Sequence, residues 1–303
     1  MSLPNIALAG ATGNLGLPIL TTLLDSNYPV TVLSRIGGSS SKLKPHPNLT
    51  IKEADFTSVT SLTAALEDSH PEVLVSCLAT LAIGSQNPLI DAAAAAGVKR
   101  FIPAEFGMDS VNPLCVELPV CAPKAATQRY LTERTKTHPG FSWTAIANGL
   151  FLDWCLEAGL IVDLKAHSAT LYNGGEVVFS ATLLKDIARA VVGVVENREE
   201  TRNRVVYVQS ARVTQGRLIR YARERDGVEW DVRVKGTEEV RLEGLEELKK
   251  DKPDAAAAML GFSLVGCLDP AYGCDFSDRL DNDLLGVKEL SEVELRGLVE
   301  SFL

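Results

Sequence analysis

The clearest sign of a ligand site in this sequence is a set of three glycines spaced three residues apart: Gly10, Gly13 and Gly16. They follow apolar residues that suit a buried parallel strand, and they lead into an amphipathic helix pattern. Glycine permits positive φ and close backbone approach, and N–H groups at a helix start attract anions. The segment predicts a pyrophosphate-binding turn, with contacts from Gly10, Thr12, Gly13, Asn14, Leu15 and Gly16. A turn used only for packing is the alternative, since the usual fingerprint is Gly-x-Gly-x-x-Gly.

The residue after the second predicted strand distinguishes the two nicotinamide dinucleotides. An Asp or Glu there binds the ribose 2′-OH of NAD, but Val30–Ser34 is followed by Arg35. A guanidinium pairs well with a 2′-phosphate, so Arg35 favours NADP(H). The alternative is an arginine that closes the strand at the surface. We expect the nearby Lys42 and Lys44 to be solvated.

Composition and charge indicate a globular protein with a small-molecule partner. The 303 residues are 46% hydrophobic and 23% charged, which is enough for a sizeable core and roughly two lobes. A net charge of −9 argues against nucleic acid or an anionic membrane as a partner. We find neither a signal peptide nor a membrane-length apolar run, and we expect a cytoplasmic monomer or homodimer that acts on a small molecule.

The cysteine and histidine patterns favour neither disulfides nor a metal. The six cysteines show no Cys-x-x-Cys spacing, so we expect reduced thiols. The four histidines, at 46, 70, 138 and 167, form no His-x-x-x-His pattern, so no metal site is predicted.

Strand and helix signals alternate through the first half, which predicts an α/β fold with a doubly wound parallel sheet of the Rossmann type. We place an NADP(H)-binding domain at residues 1–150, with the strand Val205–Gln209 returning to its sheet. A smaller C-terminal α+β lobe, residues 151–303, is expected to bind the substrate. The further elements predicted in the first half are the strands Asn48–Ala54, Val73–Cys77, Arg100–Pro103 and Phe141–Ala147 and the helices Val59–Glu67, Asn87–Ala96 and Lys124–Lys136.

The second half has fewer distinctive signals. The pattern predicts a helix over Phe151–Leu164 and a β-hairpin over Ala169–Ser180, turned at Asn173-Gly174. Further helices are predicted near Leu183, Thr214, Glu238, Ala255 and Val293.

Several motifs resemble the isoflavone reductase-like and NmrA-like branch of the atypical short-chain dehydrogenases. The most specific is Phe101-Ile-Pro-Ala-Glu-Phe-Gly107, which a general Rossmann protein does not need. The other matching motifs are Gly10-Ala-Thr-Gly13-Asn-Leu-Gly16, Ser34-Arg35, Glu53-Ala-Asp55, Pro123-Lys124, Ala147-Asn-Gly-Leu-Phe151 and Lys185-Asp-Ile-Ala188. The resemblance implies NADPH bound at the carboxyl ends of the strands and reduction of phenylpropanoid-like or other secondary metabolites. Some relatives only sense the NADP(H) ratio.

The proton donor of ordinary short-chain dehydrogenases is missing from the sequence. None of the six tyrosines has a lysine four residues later, and Tyr130 comes nearest, with Arg134. The resemblance instead implies Lys124, at the start of a helix, as the catalytic residue. A desolvated lysine can act as a general acid. A solvated lysine, or one that only positions the nicotinamide ribose, is the alternative.

The resemblance also implies further contacts. Asp55 and Phe56 would flank the adenine, and Cys77, Leu78 and Ala79 would line the pyrophosphate and ribose. Asn148 would lie beside the nicotinamide, and Phe151 would contact the cofactor or form part of an apolar substrate pocket. The alternatives are a helix N-cap, a core aromatic and a plain Asn-Gly turn. The predicted substrate-pocket residues are Glu105, Met108, Trp154, His167 and Tyr172, any of which can instead be core. His167 is a weak acid/base candidate, because the sequence offers it no oriented partner.

One departure from the family pattern is Ala104, where serine is common. Three functions therefore remain open. The first is an NADPH-dependent reductase of an aromatic or polycyclic metabolite. The second is a non-redox cyclisation or rearrangement enzyme that keeps the cofactor as part of its pocket. The third is an NmrA-like redox-sensing regulator.

Overall fold

A computed structural model describes residues 3–303. The chain divides into two compact units, each built from separate stretches of sequence. The first contains the chain up to Glu105 together with Pro123–Ile146 and Ala188–Val206. The second contains Phe106–Ala122, Ala147–Ile187 and Tyr207–Leu303.

Helices and strands alternate along most of the described chain. The strands are β1 (Ile6–Ala9), β2 (Val30–Arg35), β3 (Leu49–Ala54), β4 (Val73–Ser76), β5 (Arg100–Ile102), β6 (Ser142–Ala147), β7 (Leu150–Phe151), β8 (Ser168–Tyr172), β9 (Phe179–Thr182), β10 (Arg204–Tyr207), β11 (Ala211–Val213) and β12 (Asp231–Lys235). The α-helices are α1 (Gly16–Asp25), α2 (Val59–Glu67), α3 (Asn87–Ala95), α4 (Ala122–Thr137), α5 (Leu152–Glu157), α6 (Leu184–Glu196), α7 (Gln215–Asp226), α8 (Thr237–Leu248), α9 (Ala255–Leu268), α10 (Asn282–Leu285) and α11 (Glu292–Glu300).

A central sheet organises the first unit. Its strand order is β10-β6-β5-β4-β1-β2-β3, and the pairs from β3 through β6 are parallel. The order reverses between β1 and β4, so the chain leaves the carboxyl ends of these neighbouring strands in opposite directions. Such a switch point is where open α/β sheets form a ligand crevice. The predicted Rossmann fold is confirmed, including the return of a strand near residue 205.

Both faces of this sheet are buried. Ala7 and Ala9 of β1 pack in a core cluster with apolar residues of α2, α3 and α4, whereas Ile6 and Leu8 point to the opposite face and are also fully buried. Since alternate residues of a strand face opposite sides, helices must cover both sides of β1. The near-continuous apolar character of β1 has this cause.

The predicted hairpin over Ala169–Ser180 is wrong. β8 pairs in parallel with β12, and β9 belongs to another sheet, of order β11-β9-β7. Asn173-Gly174 does turn the chain, but Gly175 is also left-handed, with φ +81°. The Asn173 side chain donates to Thr237 Oγ1 over 2.9 Å, next to the end of β12, so a long-range contact accompanies the pairing of β8 with β12.

The predicted helix over Phe151–Leu164 is too long. α5 ends at Glu157, and Gly159 follows in the left-handed region with φ +65°. Its N–H donates to the Leu156 carbonyl over 3.2 Å, which is a glycine-type helix stop. The Ala158-Gly159 pair carried this signal in the sequence.

No helix within residues 3–303 is both long enough and apolar enough to cross a membrane.

Candidate functional site

The glycine-rich turn joins β1 to α1 beside the switch point. Gly10 has φ +84°, and a Cβ at this position would overlap the carbonyl oxygen of Cys77. A Cβ on Gly16 would overlap the carbonyl oxygen of Gly10. These two positions therefore require glycine for the packing of the protein itself.

Gly13 is glycine for a different reason. A Cβ there would come no closer than 3.5 Å to the described chain, at the Gly10 carbonyl oxygen, which is an ordinary contact. Gly13 is exposed together with Thr12 and Asn14. The missing side chain keeps the outer surface of the turn open, as close approach of a ligand to the backbone requires.

The start of α1 suits an anion. Leu15 occupies the N-cap position without a side-chain cap, and the first turn contains no acidic residue. N–H groups at a helix start carry the positive end of the helix dipole, and in α1 the Leu17 N–H donates to the Gly13 carbonyl over 3.1 Å while Pro18 has no N–H. Together with the open surface at Gly13, this geometry fits the pyrophosphate of a dinucleotide.

Arg35 ends β2 and is exposed, next to the loop that contacts the glycine-rich turn. Thr12 Oγ1 and Ser39 Oγ lie 2.8 Å apart and join the loop after β2 to that turn. The neighbouring carboxylate, Glu53 on β3, accepts a hydrogen bond from the Gly37 N–H over 3.2 Å. Arg35 thus has the place and the charge needed for a 2′-phosphate.

Asp55 closes a turn at the end of β3. Its carboxylate accepts hydrogen bonds from the N–H and the hydroxyl of Thr57, over 2.9 and 2.7 Å, and the hydroxyl bond most strongly holds the pKa of Asp55 below its usual range. Ser58, one residue later, caps α2, so the N-cap alternative does not apply to Asp55. Phe56 is half-buried and packs against the core cluster, so the structure shows a core contact for this residue.

Cys77, Leu78 and Ala79 leave β4 beside the glycine-rich turn. The Cys77 N–H donates to the Ala9 carbonyl over 2.8 Å, and its own carbonyl faces Gly10. Burial raises the pKa of the Cys77 thiol. The thiol therefore stays protonated near neutral pH, and this segment can contribute to a site through its backbone.

Lys124 is buried, although it lies in the first turn of α4. Its side chain is 5% exposed, so it is not the solvated lysine of the alternative interpretation. Its Nζ donates to the backbone carbonyl of Glu105, which lies just beyond the end of β5. A cation at a helix N-terminus is opposed by the helix dipole, whereas Arg134 and Lys136 occupy the favourable last turn of α4. Lys124 thus breaks a local rule of helix design, which is typical of functional positions.

Two glutamines near Lys124 were missed by sequence reasoning. Gln128 Nε2 donates to Glu105 Oε2 over 3.0 Å. Gln86 Oε1 accepts from the Ala104 N–H over 3.0 Å. Gln128 follows Lys124 by four residues, and this spacing places both on one helix face. Gln86 gave no such signal, because its contact joins residues far apart in sequence.

Tyr130 is engaged elsewhere. Its hydroxyl donates to Asp91 over 2.8 Å and accepts from Arg134, whose guanidinium also lies 4.6 Å from the ring centroid. Burial is the main cause of its raised pKa. The tyrosine nearest to the ordinary dehydrogenase pattern is therefore part of an ion-pair cluster.

Asn148 lies in the second unit and is fully buried. Its N–H donates to the Gly107 carbonyl over 2.8 Å, and its carbonyl accepts from Thr182 Oγ1 over 2.7 Å. The amide nitrogen donates to the Gly149 carbonyl over 3.0 Å, but Oδ1 has no partner among the described residues. Buried oxygens without a partner are uncommon, and one at this predicted position fits a ligand donor.

Among the predicted pocket residues, Phe151 and Trp154 contact each other edge to face, with centroids 6.4 Å apart. Met108 is buried, and its sulfur lies against Gly266, where a Cβ would overlap it, so Met108 is core. Tyr172 is half-buried and has its backbone N–H bound to Gln215 over 2.9 Å.

His167 has an oriented partner that the sequence did not indicate. Its Nε2 lies 2.8 Å from Asp226 Oδ2, and its ring lies edge to face against Trp230. The Asp226 pKa is lowered, first by the Val228 N–H and then by His167. This pair joins the start of β8 to the end of α7.

The model of the NmrA-like family matches residues 4–227. The chain belongs to the NmrA-like family. It is similar to oxidoreductase aprR of Aspergillus flavus, with 31% identity over 277 residues and 90% of each chain covered. It is also similar to phenylcoumaran benzylic ether reductase PT1 of Pinus taeda, with 29% identity over 67% of this chain and 68% of that protein.

Its fold is similar to that of leucoanthocyanidin reductase from Vitis vinifera, solved as a binary complex with NADPH. The TM-score is 0.74 at 17% identity, covering 98% of this chain and 99% of that chain. The family resemblance inferred from the motifs is confirmed.

Proposed function

We propose that this protein is an NADPH-dependent reductase of an aromatic or polycyclic secondary metabolite. The observation that carries the proposal is the buried Lys124, which is hydrogen-bonded just beyond the carboxyl end of β5. In the same sheet, the turn after β1 has the open backbone that a dinucleotide requires. When bound, NADPH supplies the hydride for the reduction.

The first unit binds the cofactor. The open backbone from Thr12 to Leu15 and the start of α1 hold the pyrophosphate, and Arg35 holds the 2′-phosphate. The backbone of Cys77, Leu78 and Ala79 lines the same groove, with Asp55 and Phe56 at the adenine end. NADPH complexes of relatives with this fold support the choice of cofactor.

Lys124 supplies a proton. Its ammonium has three N–H donors, and the Glu105 carbonyl oxygen is the acceptor found for it among the described residues. The remaining donors are available to a substrate oxygen.

We assign substrate recognition to the second unit. The aromatic pair Phe151 and Trp154 offers apolar surface for a substrate ring. The buried side-chain oxygen Oδ1 of Asn148 can accept a hydrogen bond from a substrate donor. The names of relatives, an oxidoreductase and a benzylic ether reductase, support reduction as the reaction.

Transfer of an isotope label tests this function. The protein is incubated with NADPH deuterated at C4 and a panel of phenylpropanoid and polycyclic compounds, and products are analysed by mass spectrometry. A deuterated product is expected. An unlabelled product would indicate non-redox chemistry, and the absence of product alongside tight binding of both NADP⁺ and NADPH would favour a sensor.

A further inference from the structure

The Lys124 ammonium is hydrogen-bonded to the peptide of Glu105. Its Nζ donates to the carbonyl oxygen of Glu105. Glu105 itself is 2% exposed, and the orientation of its peptide determines where that oxygen lies. Whatever fixes Glu105 therefore fixes the ammonium.

Gln128 holds Glu105 from the same helix that carries Lys124. The two residues are one helical turn apart, and both are 5% exposed. Lys124 Nζ donates a hydrogen bond to the backbone oxygen of Glu105, and Gln128 Nε2 donates one to its side-chain oxygen Oε2 over 3.0 Å. α4 thus holds one residue by two atoms, which restricts both its side chain and its carbonyl.

The chain on the other side of Glu105 is also fixed. The Glu105 N–H donates to the Pro103 carbonyl over 2.8 Å, and the Ala104 N–H donates to Gln86 Oε1 over 3.0 Å. Gln86 is 1% exposed and donates in turn to the Ile83 carbonyl over 3.1 Å. Gln128 adds a hydrogen bond from α4 to the carboxylate of this anchored segment.

The amide of Gln128 carries no charge. It binds the Glu105 carboxylate without placing a second cation beside the Lys124 ammonium. An arginine or lysine there would repel that ammonium. A neutral amide therefore binds the Glu105 side chain without repelling the Lys124 ammonium.

We propose that Gln128 is a positioning residue for Lys124, acting through Glu105. This inference rests on the proposed function for its catalytic meaning. Its structural content, that Gln128 restrains the Lys124 ammonium, is measurable without any substrate.

The test compares Gln128→Met, which keeps the length of the side chain but removes the hydrogen bond, with Thr137→Ala, an exposed position at the end of α4. The acetylation rate of Lys124 by acetic anhydride is measured by mass spectrometry, with the exposed Lys136 as internal reference. Gln128→Met is expected to raise the Lys124 rate about fivefold, the effect of losing one hydrogen bond, and Thr137→Ala to leave it unchanged.

Gln128→Glu provides a second variant with nearly the same shape. Its side chain places a second acidic group against Glu105 and lacks the amide donor. At the pH used for Gln128→Met, acetylation of Lys124 relative to Lys136 is expected to rise at least as much as in Gln128→Met. Relative rates equal to the wild type in both variants would overturn the proposal.

Turnover separates this inference from the proposed function. With a substrate found by label transfer, Gln128→Met is expected to lower kcat by about tenfold or more, with the Kd for NADPH unchanged. Faster acetylation with no label transfer in the wild type would remove the reductase and keep the restraint. Unchanged kcat in Gln128→Met would overturn the catalytic role of the restraint.

Discussion

A buried cation lies at each end of β5, and the two cations have very different hydrogen-bond partners. Arg100, the first residue of β5, is 1% exposed and donates to Ser142 Oγ over 2.9 Å, to the hydroxyls of Thr144 and Thr201 over 2.8 Å each, and to the Arg198 carbonyl. Lys124 lies beyond the other end and has the Glu105 carbonyl as its acceptor among the described residues.

The number of acceptors distinguishes the roles of these cations. Burial lowers the pKa of Arg100 to about 10, yet the guanidinium remains charged at neutral pH and spends four donors on protein oxygens. That arrangement ties β5 to β6 and to the segment before β10. Lys124 uses one N–H donor on the Glu105 carbonyl, which leaves donors for a substrate. We infer that the amino end of the sheet is built for stability and the carboxyl end for ligand chemistry.

The largest effect on stability is expected for Arg100→Met. The change leaves three hydroxyls and one carbonyl without their donor, so the free energy of unfolding should fall by about 3–5 kcal/mol. Urea denaturation measures it. The Kd for NADPH of the folded variant should match the wild type, and weaker NADPH binding by that folded variant would erase the contrast between the two ends.

Arg35→Ala should affect binding instead. Loss of a charge-assisted contact with the 2′-phosphate is expected to weaken NADPH binding by about 1.5–3 kcal/mol, with NADH binding unchanged. Titration calorimetry gives both values, and Lys42→Ala is the matched control. An equal loss for NADPH and NADH would refute the assignment of Arg35 to the 2′-phosphate.

Gly13→Ala tests whether the glycine serves the ligand. The protein has room for the methyl group, so stability should change by less than about 0.5 kcal/mol. A backbone-bound pyrophosphate would meet that methyl, and the Kd for NADPH should rise about tenfold. Unaltered NADPH affinity would return this turn to a packing role.

The smallest effect is a pH dependence at the amino end. Hydrogen bonds from Lys99 and then Arg198 hold the pKa of Glu72 below its ordinary value of 4.5. The pair stabilises the fold above that value and loses its effect as the pH falls through the lower folded pKa. Because Glu72 is 34% exposed, the contribution is less than about 1 kcal/mol. The difference in unfolding free energy between wild type and Glu72→Gln should shrink between pH 6 and pH 3, and a constant difference would contradict this.

Sequence patterns predicted the elements that depend on local chemistry. The order of strands and helices, the glycine-rich turn and the position of Arg35 follow from periodicity and from backbone requirements at Gly10 and Gly16. The motifs, above all Phe101–Gly107, also identified the family.

Features set by distant residues were not predictable in this way. β8 pairs in parallel with β12, a contact between Asn173 and Thr237 accompanies this pairing, and His167 contacts Asp226, 59 residues away. The segment before Glu105 is anchored through the Ala104 N–H by Gln86, which lies at the start of α3. No local pattern encodes such pairings, since they arise when separate elements pack together.

Replacement of Lys124 tests the central claim most directly. Lys124→Met is compared with Lys136→Met, which removes an exposed lysine from the same helix. We measure kcat on the substrate found by label transfer and the Kd for NADPH. We expect Lys124→Met to lower kcat by about 100-fold or more while the Kd for NADPH stays the same, and Lys136→Met to change neither. Wild-type kcat in a folded Lys124→Met variant would contradict it.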